Sequence, residues 1–213
     1  MFGNQEKCTL VIGSDGLIGE ALMTQLQITG KQVIGTTRRR NKVDGDHVYL
    51  DLEDVESWKC QRPIDVAVVC AGVTKLHTCR RNPVETARVN VLGVTLLMKN
   101  LVAKGVYVIF LSSNQVFDGS IPFQEPHAPF SPKTKYGVQK AEVEKEISKF
   151  KDSACIVRLT KVLYSKSPLI IGWINSMQKG KTIHPFSDMV MAPVSLPFVV
   201  QVICKVIAEK LNG

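Results

Sequence analysis

Short, almost wholly apolar runs recur along the chain: TLVIG (9 to 13), QVIGT (32 to 36), HVYL (47 to 50), DVAVVCAG (65 to 72), VYVIFLSS (106 to 113) and ACIVRL (154 to 159). Most of the intervals between them are long enough for a helix. Strands buried on both faces carry such runs, and helices cover those faces when the strands lie parallel. The pattern therefore predicts an α/β fold, a Rossmann-type doubly wound parallel sheet. One intervening helix should open at Asn82-Pro83 and end before Gly105. There Asn82 is expected to cap, Pro83 suits a first helical position that needs no N–H, and Glu85 favours the positive end of the dipole. A second helix is expected from about Lys135 to Phe150, with Glu and Lys mixed along it. The proline-rich stretch from Ile121 to Pro132 reads as a loop that delivers the chain to that helix.

The first apolar run leads straight into Gly13-Ser14-Asp15-Gly16-Leu17-Ile18-Gly19 and then into the helical segment ALMTQLQITG. This is G-x-x-G-x-x-G between a strand and a helix. The first glycine permits a tight turn, the second lets a pyrophosphate approach the backbone, and the third lets helix and strand pack closely. The second strand ends in Thr36-Thr37-Arg38-Arg39-Arg40. An NAD-selective site would place a carboxylate there for the ribose 2′-hydroxyl, whereas guanidinium groups can fork onto a 2′-phosphate. Thr37, Arg38 and Arg39 are therefore read as cofactor contacts, and NADP(H) is expected rather than NAD(H). Asp51-Leu52 after the third run is a candidate adenine contact, and Ala71-Gly72 after the fourth lets the backbone pass close to the cofactor.

Tyr136 and Lys140 stand four apart on a predicted helix and so share a face. A phenol with an ordinary pKa near 10 is a poor acid or base at neutral pH, and a nearby ammonium favours its phenolate. Ser112-Ser113 closes the fifth run, at the carboxyl edge where ligands of such sheets bind. Asn90, on the preceding helix, is placed to anchor a proton-relay water near the lysine.

In their order along the chain, Gly13/Gly16/Gly19, Asp51-Leu52, Ala71-Gly72, Asn90, Ser113 and Tyr136-Gly137-x-x-Lys140 resemble the extended short-chain dehydrogenases. The segment LSSNQVFDG (111 to 119) is similar to the S-T-D-Y-V-F-D-G segment of dTDP-4-dehydrorhamnose reductases. The resemblance covers most of residues 7 to 160. It implies that Ser113 polarises a carbonyl, that Tyr136 donates the proton, and that Lys140 tunes the phenol and holds the nicotinamide ribose. The implied reaction is hydride transfer from NADPH to a keto group on a nucleotide-linked sugar. Two features depart from that pattern. Asn114-Gln115 replaces the usual Asp-Tyr and changes the charge beside the substrate. The part after residue 160 is short, although RLTKVLY (158 to 164) and PFSDMVMAPVSLPFVVQVI (185 to 203) look like pieces of the family's substrate lobe.

The expected organisation is a cofactor-binding and catalytic domain over 1–160 with a reduced substrate lobe over 161–213. A net charge of +8 fits an anionic small ligand. The basic residues are dispersed except for Arg38 to Arg40 with Lys42, and no interleaved aromatics accompany them, so nucleic acid is not an expected partner. Six cysteines without a C-x-x-C pair read as reduced thiols, and His77, His127 and His184 lack metal-ligand spacing, so no metal is expected. The chain shows no secretory signal and no apolar run long enough to span a membrane, which predicts a cytoplasmic protein. Helices flanking the sheet, including those of Asn82 and Tyr136, are candidate surfaces for a homodimer. The alternatives to a reductase are a non-catalytic cofactor-binding regulatory or partner subunit, or an epimerase or dehydratase on the same site.

Overall fold

The computed structural model describes residues 8–60, 62–185 and 190–213. Six strands form one parallel sheet: β1 (Cys8–Ile12), β2 (Val33–Thr37), β3 (His47–Tyr49), β4 (Ile64–Val69), β5 (Tyr107–Ser113) and β6 (Ala154–Leu159). Their order is β3-β2-β1-β4-β5-β6, and all five pairings are parallel. The chain runs outward from β1 to β3 and then crosses back to β4. The connections after β1 and β4 therefore diverge and leave a crevice at the carboxyl edge, where such sheets bind ligands.

Successive strand residues point to opposite faces, so each face has its own core. On one side, Leu10, Ile12, Val69, Val108 and Phe110 cluster with Leu97, Met98, Leu101, Val143 and Ile147. On the other, Val11, Val68, Ile109 and Leu111 cluster with Leu22, Met23 and Leu26 of α1 (Leu17–Ile28) and with Val199, Val200, Ile203 and Val206 of α7 (Leu196–Glu209). Each fully buried side chain of this kind contributes ~1.5–3 kcal/mol relative to exposure. These two layers hold the strand ends, and hence the crevice, in place.

The helix expected from Asn82 to before Gly105 is divided into α3 (Pro83–Ala87), a π-helical turn (Arg88–Gly93) and α4 (Val94–Val102), and a separate α2 (Leu76–Arg81) precedes it. Asn82 ends α2 and opens α3 with no side-chain cap; instead its carbonyl accepts from the Thr86 hydroxyl at 2.8 Å. At the π turn the backbone presses on the next loop: a Cβ on Gly93 would stand 1.8 Å from the Leu52 carbonyl oxygen. The helix expected over 135–150 is α5 (Lys135–Ile147), capped by the Thr134 hydroxyl, which accepts from Gly137 N at 3.0 Å; a tighter 3-10 stretch follows over Ser148–Ser153.

After β6 the chain forms a two-stranded parallel sheet of β7 (Lys161–Leu163) and β8 (Pro193–Ser195), with α6 (Pro168–Gln178) between them. Residues 186–189 of the stretch 185–203, like residues 1–7, lie outside the described residues. The last helix, α7, leaves this small lobe and packs on α1 as part of the main core. No helix among the described residues is long and apolar enough to cross a membrane.

Candidate functional site

A cavity of about 510 Å³ opens at the crevice. Its wall contains Gly13, Asp15, Gly16, Thr37, Arg38, Arg39, Asp51, Leu52, Ala71 and Gly72, all singled out in the sequence. Ile12, Thr36, Leu50, Cys70, Val73 and Val89, which no motif marks, complete it. Ser14, Leu17, Ile18 and Gly19 stand outside the wall. Ser14 is buried and its hydroxyl donates to the Thr36 carbonyl at 2.9 Å, which ties the glycine turn to β2.

The glycine turn is shaped by sterics at two positions. Gly13 has φ +85°, and a Cβ there would meet Ala71 at 2.8 Å. A Cβ on Gly19 would stand 2.3 Å from the Gly13 carbonyl oxygen, so no side chain fits where the helix crosses the turn. Between them, Gly16 opens α1 without a side-chain cap. The positive end of the helix thus borders the cavity, an arrangement that attracts anionic groups. At the far wall the end of β2 offers Arg38 and Arg39, while Arg40 is drawn aside to stack on Tyr49, its guanidinium 4.2 Å from the ring centre.

Tyr136, Lys140 and Glu144 follow one another at four-residue steps along α5, facing β5. Lys140 is buried; its ammonium donates to the Leu111 carbonyl at 2.7 Å and lies 4.3 Å from the Phe110 ring centre. Burial pushes its pKa down to about 8, against the opposing pull of Cys70 and Glu144. Tyr136 lies beside Ser113, with the Lys140 ammonium 5.8 Å from its ring centre. Burial, with a further push from Cys79, raises the phenol to about 12, and the Ser113 hydroxyl pulls the other way. The phenol is therefore protonated at neutral pH. In this geometry Lys140 is tethered to the strand, and Tyr136 is held as a protonated phenol rather than as a phenolate.

Asn90 faces the site from the π turn. Its carbonyl oxygen accepts from Val73 N at 2.7 Å, and its amide donates to the Val73 carbonyl at 2.9 Å and to Gln139 Oε1 at 2.8 Å. Gln139 in turn donates to Thr86 at 2.9 Å and to the Pro83 carbonyl at 3.1 Å. The amide is thereby used as a clamp between the loop after β4, the π turn and α5. Sequence motifs missed Gln139, whose neighbours are 49 and more residues away along the chain. They also missed Glu144, fully buried, which accepts from the Ser112 hydroxyl and from Arg158 at 2.6 Å. Among the described residues no group of His, Cys, Asp and Glu is arranged to hold a metal ion.

Residues 7–213 match the family model described as the RmlD substrate binding domain. The chain belongs to the RmlD substrate binding domain family. Among curated relatives of this RmlD-family chain, methionine adenosyltransferase 2 subunit beta of Rattus norvegicus is 30% identical over 159 residues, which is 74% of the chain and 47% of that protein. A probable low-salt glycan biosynthesis reductase of Haloferax volcanii is 26% identical over 195 residues, 86% of the chain and 65% of the relative. The RmlD-family chain thus spans about half the length of the first of these relatives. Among solved structures, dTDP-4-dehydrorhamnose reductase of Bacillus anthracis in complex with NADP superposes with a TM-score of 0.83 at 18% identity, over 98% of the chain and 73% of that structure. The extended short-chain dehydrogenase fold expected from the sequence is the fold observed.

Proposed function

We propose that this protein is an NADPH-dependent reductase of a keto group on a nucleotide-linked sugar. The observation that carries this reading is the meeting of Ser113, Tyr136 and Lys140 at the carboxyl edge of the sheet, with Lys140 near Cys70, which lines a cavity walled by the glycine turn on one side and by Arg38 and Arg39 on the other. The cavity fits a dinucleotide: side chains are excluded from the turn at Gly13 and Gly19, an uncapped helix end borders it, and guanidinium groups are available for a 2′-phosphate. In this reading the Gly13 to Gly16 backbone holds the pyrophosphate, Asp51 and Leu52 flank the adenine, and Ala71 and Gly72 border the middle of the cofactor. The Bacillus anthracis relative, solved with NADP, supports the choice of cofactor.

When bound, NADPH supplies the hydride for the carbonyl carbon. Ser113 holds the carbonyl oxygen, and Tyr136 gives its phenolic proton to that oxygen as negative charge builds there, producing a hydroxyl. The phenol, raised to about 12, carries its proton at neutral pH and so has one to give. Lys140 supplies positive charge that stabilises the tyrosinate left behind, and Asn90 with Gln139 keeps the loop after β4 in register with α5. Two copies would pair through the outer faces of the π turn, α4 and α5, where Leu92 of the π turn is 65% exposed and the buried Thr95 hydroxyl of α4 has no partner.

A second reading rests on the lobe. No side chain of α6 is buried and the helix carries no charged residue, so it presents an uncharged, largely apolar surface. A cofactor-binding subunit that docks on another protein without turnover fits that face, and the relative named as a subunit favours it. Purified protein mixed with NADPH and a panel of 4-keto sugar nucleotides separates the two. Loss of NADPH absorbance with formation of the reduced sugar supports the reductase; tight NADPH binding with no turnover across the panel supports the subunit.

A further inference from the structure

The residues directly after β2, Arg38 to Arg40, include no carboxylate, yet one stands at that strand end. The Thr37 hydroxyl donates to Asp15 Oδ2, which delivers the glycine-turn carboxylate to the end of β2. The same hydroxyl accepts from Arg39 N at 3.0 Å, and Lys42 Nζ lies 3.3 Å from Asp15 Oδ1. Asp15, Thr37, Arg38 and Arg39 line one stretch of the cavity wall. Burial works against ionisation of Asp15, but the hydrogen bonds from Thr37 and Lys42 and the charges of Lys42 and Arg39 outweigh it and hold the carboxyl below its usual range. The wall thus presents an anion and two cations, with a third cation, Lys42, paired to that anion from outside the wall. A ribose 2′-hydroxyl can donate to that anion, whereas a 2′-phosphate is drawn by the cations and repelled by it.

We propose that Asp15 sets the preference between the two nicotinamide dinucleotides, narrowing the advantage that Arg38 and Arg39 give to NADPH and letting the protein accept NADH as well. This rests on the reading that the cavity holds a dinucleotide. The arginines attract the 2′-phosphate, Asp15 offsets part of that attraction, and Lys42 limits how much. A sequence scan for a carboxylate after the second strand misses this because the group arrives from the turn after the first.

The test is titration of NADPH and NADH, by calorimetry or by the fluorescence of the reduced nicotinamide, against the full chain and its Asp15→Asn, Lys42→Met and Arg38→Ala/Arg39→Ala variants. Asp15→Asn keeps an oxygen for Thr37 and adds no bulk. It should tighten NADPH about tenfold, from removal of one nearby like charge, and weaken NADH, with the NADPH gain shrinking as salt is raised. Lys42→Met exposes Asp15 and should weaken NADPH while sparing NADH, which keeps the proposal testable if Asp15→Asn folds poorly. The double arginine variant should lose NADPH far more than NADH. If wild type binds a cofactor and neither Asp15→Asn nor Lys42→Met shifts the NADPH to NADH ratio, the role of Asp15 is refuted and the cofactor site stands. If wild type binds neither dinucleotide, the cofactor reading falls and the role of Asp15 falls with it.

Discussion

Lys140 donates to the carbonyl of Leu111 at 2.7 Å, from one helical turn beyond Tyr136 and two residues before Ser113 on the facing strand. One buried ammonium thereby fixes the spacing between the helix that carries the phenol and the strand that carries the hydroxyl. Breaking that tether affects both the alignment of the site and the titration of the fold.

The titration has a definite sign. The Lys140 pKa is about 8 in the fold and about 10.4 in an unfolded chain. Between those values the unfolded state binds more protons, so the contribution of Lys140 to stability rises with pH through that window and is least favourable below it. Chemical denaturation of wild type and Lys140→Met across pH 7 to 10 should show wild type gaining on the variant as pH rises. A constant difference between the two proteins would mean that Lys140 titrates normally.

Glu144 and Arg158 tie α5 to β6 beneath the site. Arg158 donates to the carboxylate through Nε at 3.0 Å and Nη2 at 2.6 Å, and through Nη1 to the Pro126 carbonyl at 2.6 Å, which also anchors the loop before α5. Arg158→Met leaves the fully buried carboxylate of Glu144 without its countercharge, and urea unfolding should report a loss of about 3 kcal/mol. Restoring neutrality with Glu144→Gln in the same chain should recover part of that loss. An additive double variant would show that the pair is not coupled.

Gly93→Ala places a methyl group 1.8 Å from the Leu52 carbonyl oxygen, inside the π turn that carries Val89 and Asn90. The loop bearing Asp51 and Leu52 must then move, with an expected cost of about 2 kcal/mol or more and weaker NADPH binding. Gly172→Ala on α6, where a methyl group meets nothing within 4 Å, serves as the control and should be neutral or slightly stabilising. Thermal unfolding of both variants checks the contrast, and equal melting temperatures would contradict it.

What the sequence revealed and what it hid divide along the range of the interactions. The strands were legible because burial on both faces demands near-continuous apolar runs, and β1, β4 and β5 end within a few residues of the boundaries those runs suggest. The glycine turn was legible because strand, turn and helix adjoin. Tyr136 and Lys140 share a face because helices repeat locally. The division of the Asn82 helix was not legible: the π turn packs on Leu52 and bonds to Gln139, which reach it only in the fold. The Asp15 carboxylate at the end of β2 was hidden for the same reason, since its Thr37 partner lies 22 residues away. The packing of α7 on α1 likewise joins the two ends of the chain.

The most direct measurement is NADPH oxidation by wild type and Tyr136→Phe with 4-keto sugar nucleotides, run beside NADPH titration of both proteins. Removing the phenolic proton donor should cut turnover by roughly 10²–10⁴-fold, while the cofactor dissociation constant stays within about twofold, less than a single hydrogen bond is worth. A Tyr136→Phe protein that turns over as fast as wild type would contradict the assignment of Tyr136 as the acid, and with it the chemistry assigned to this site.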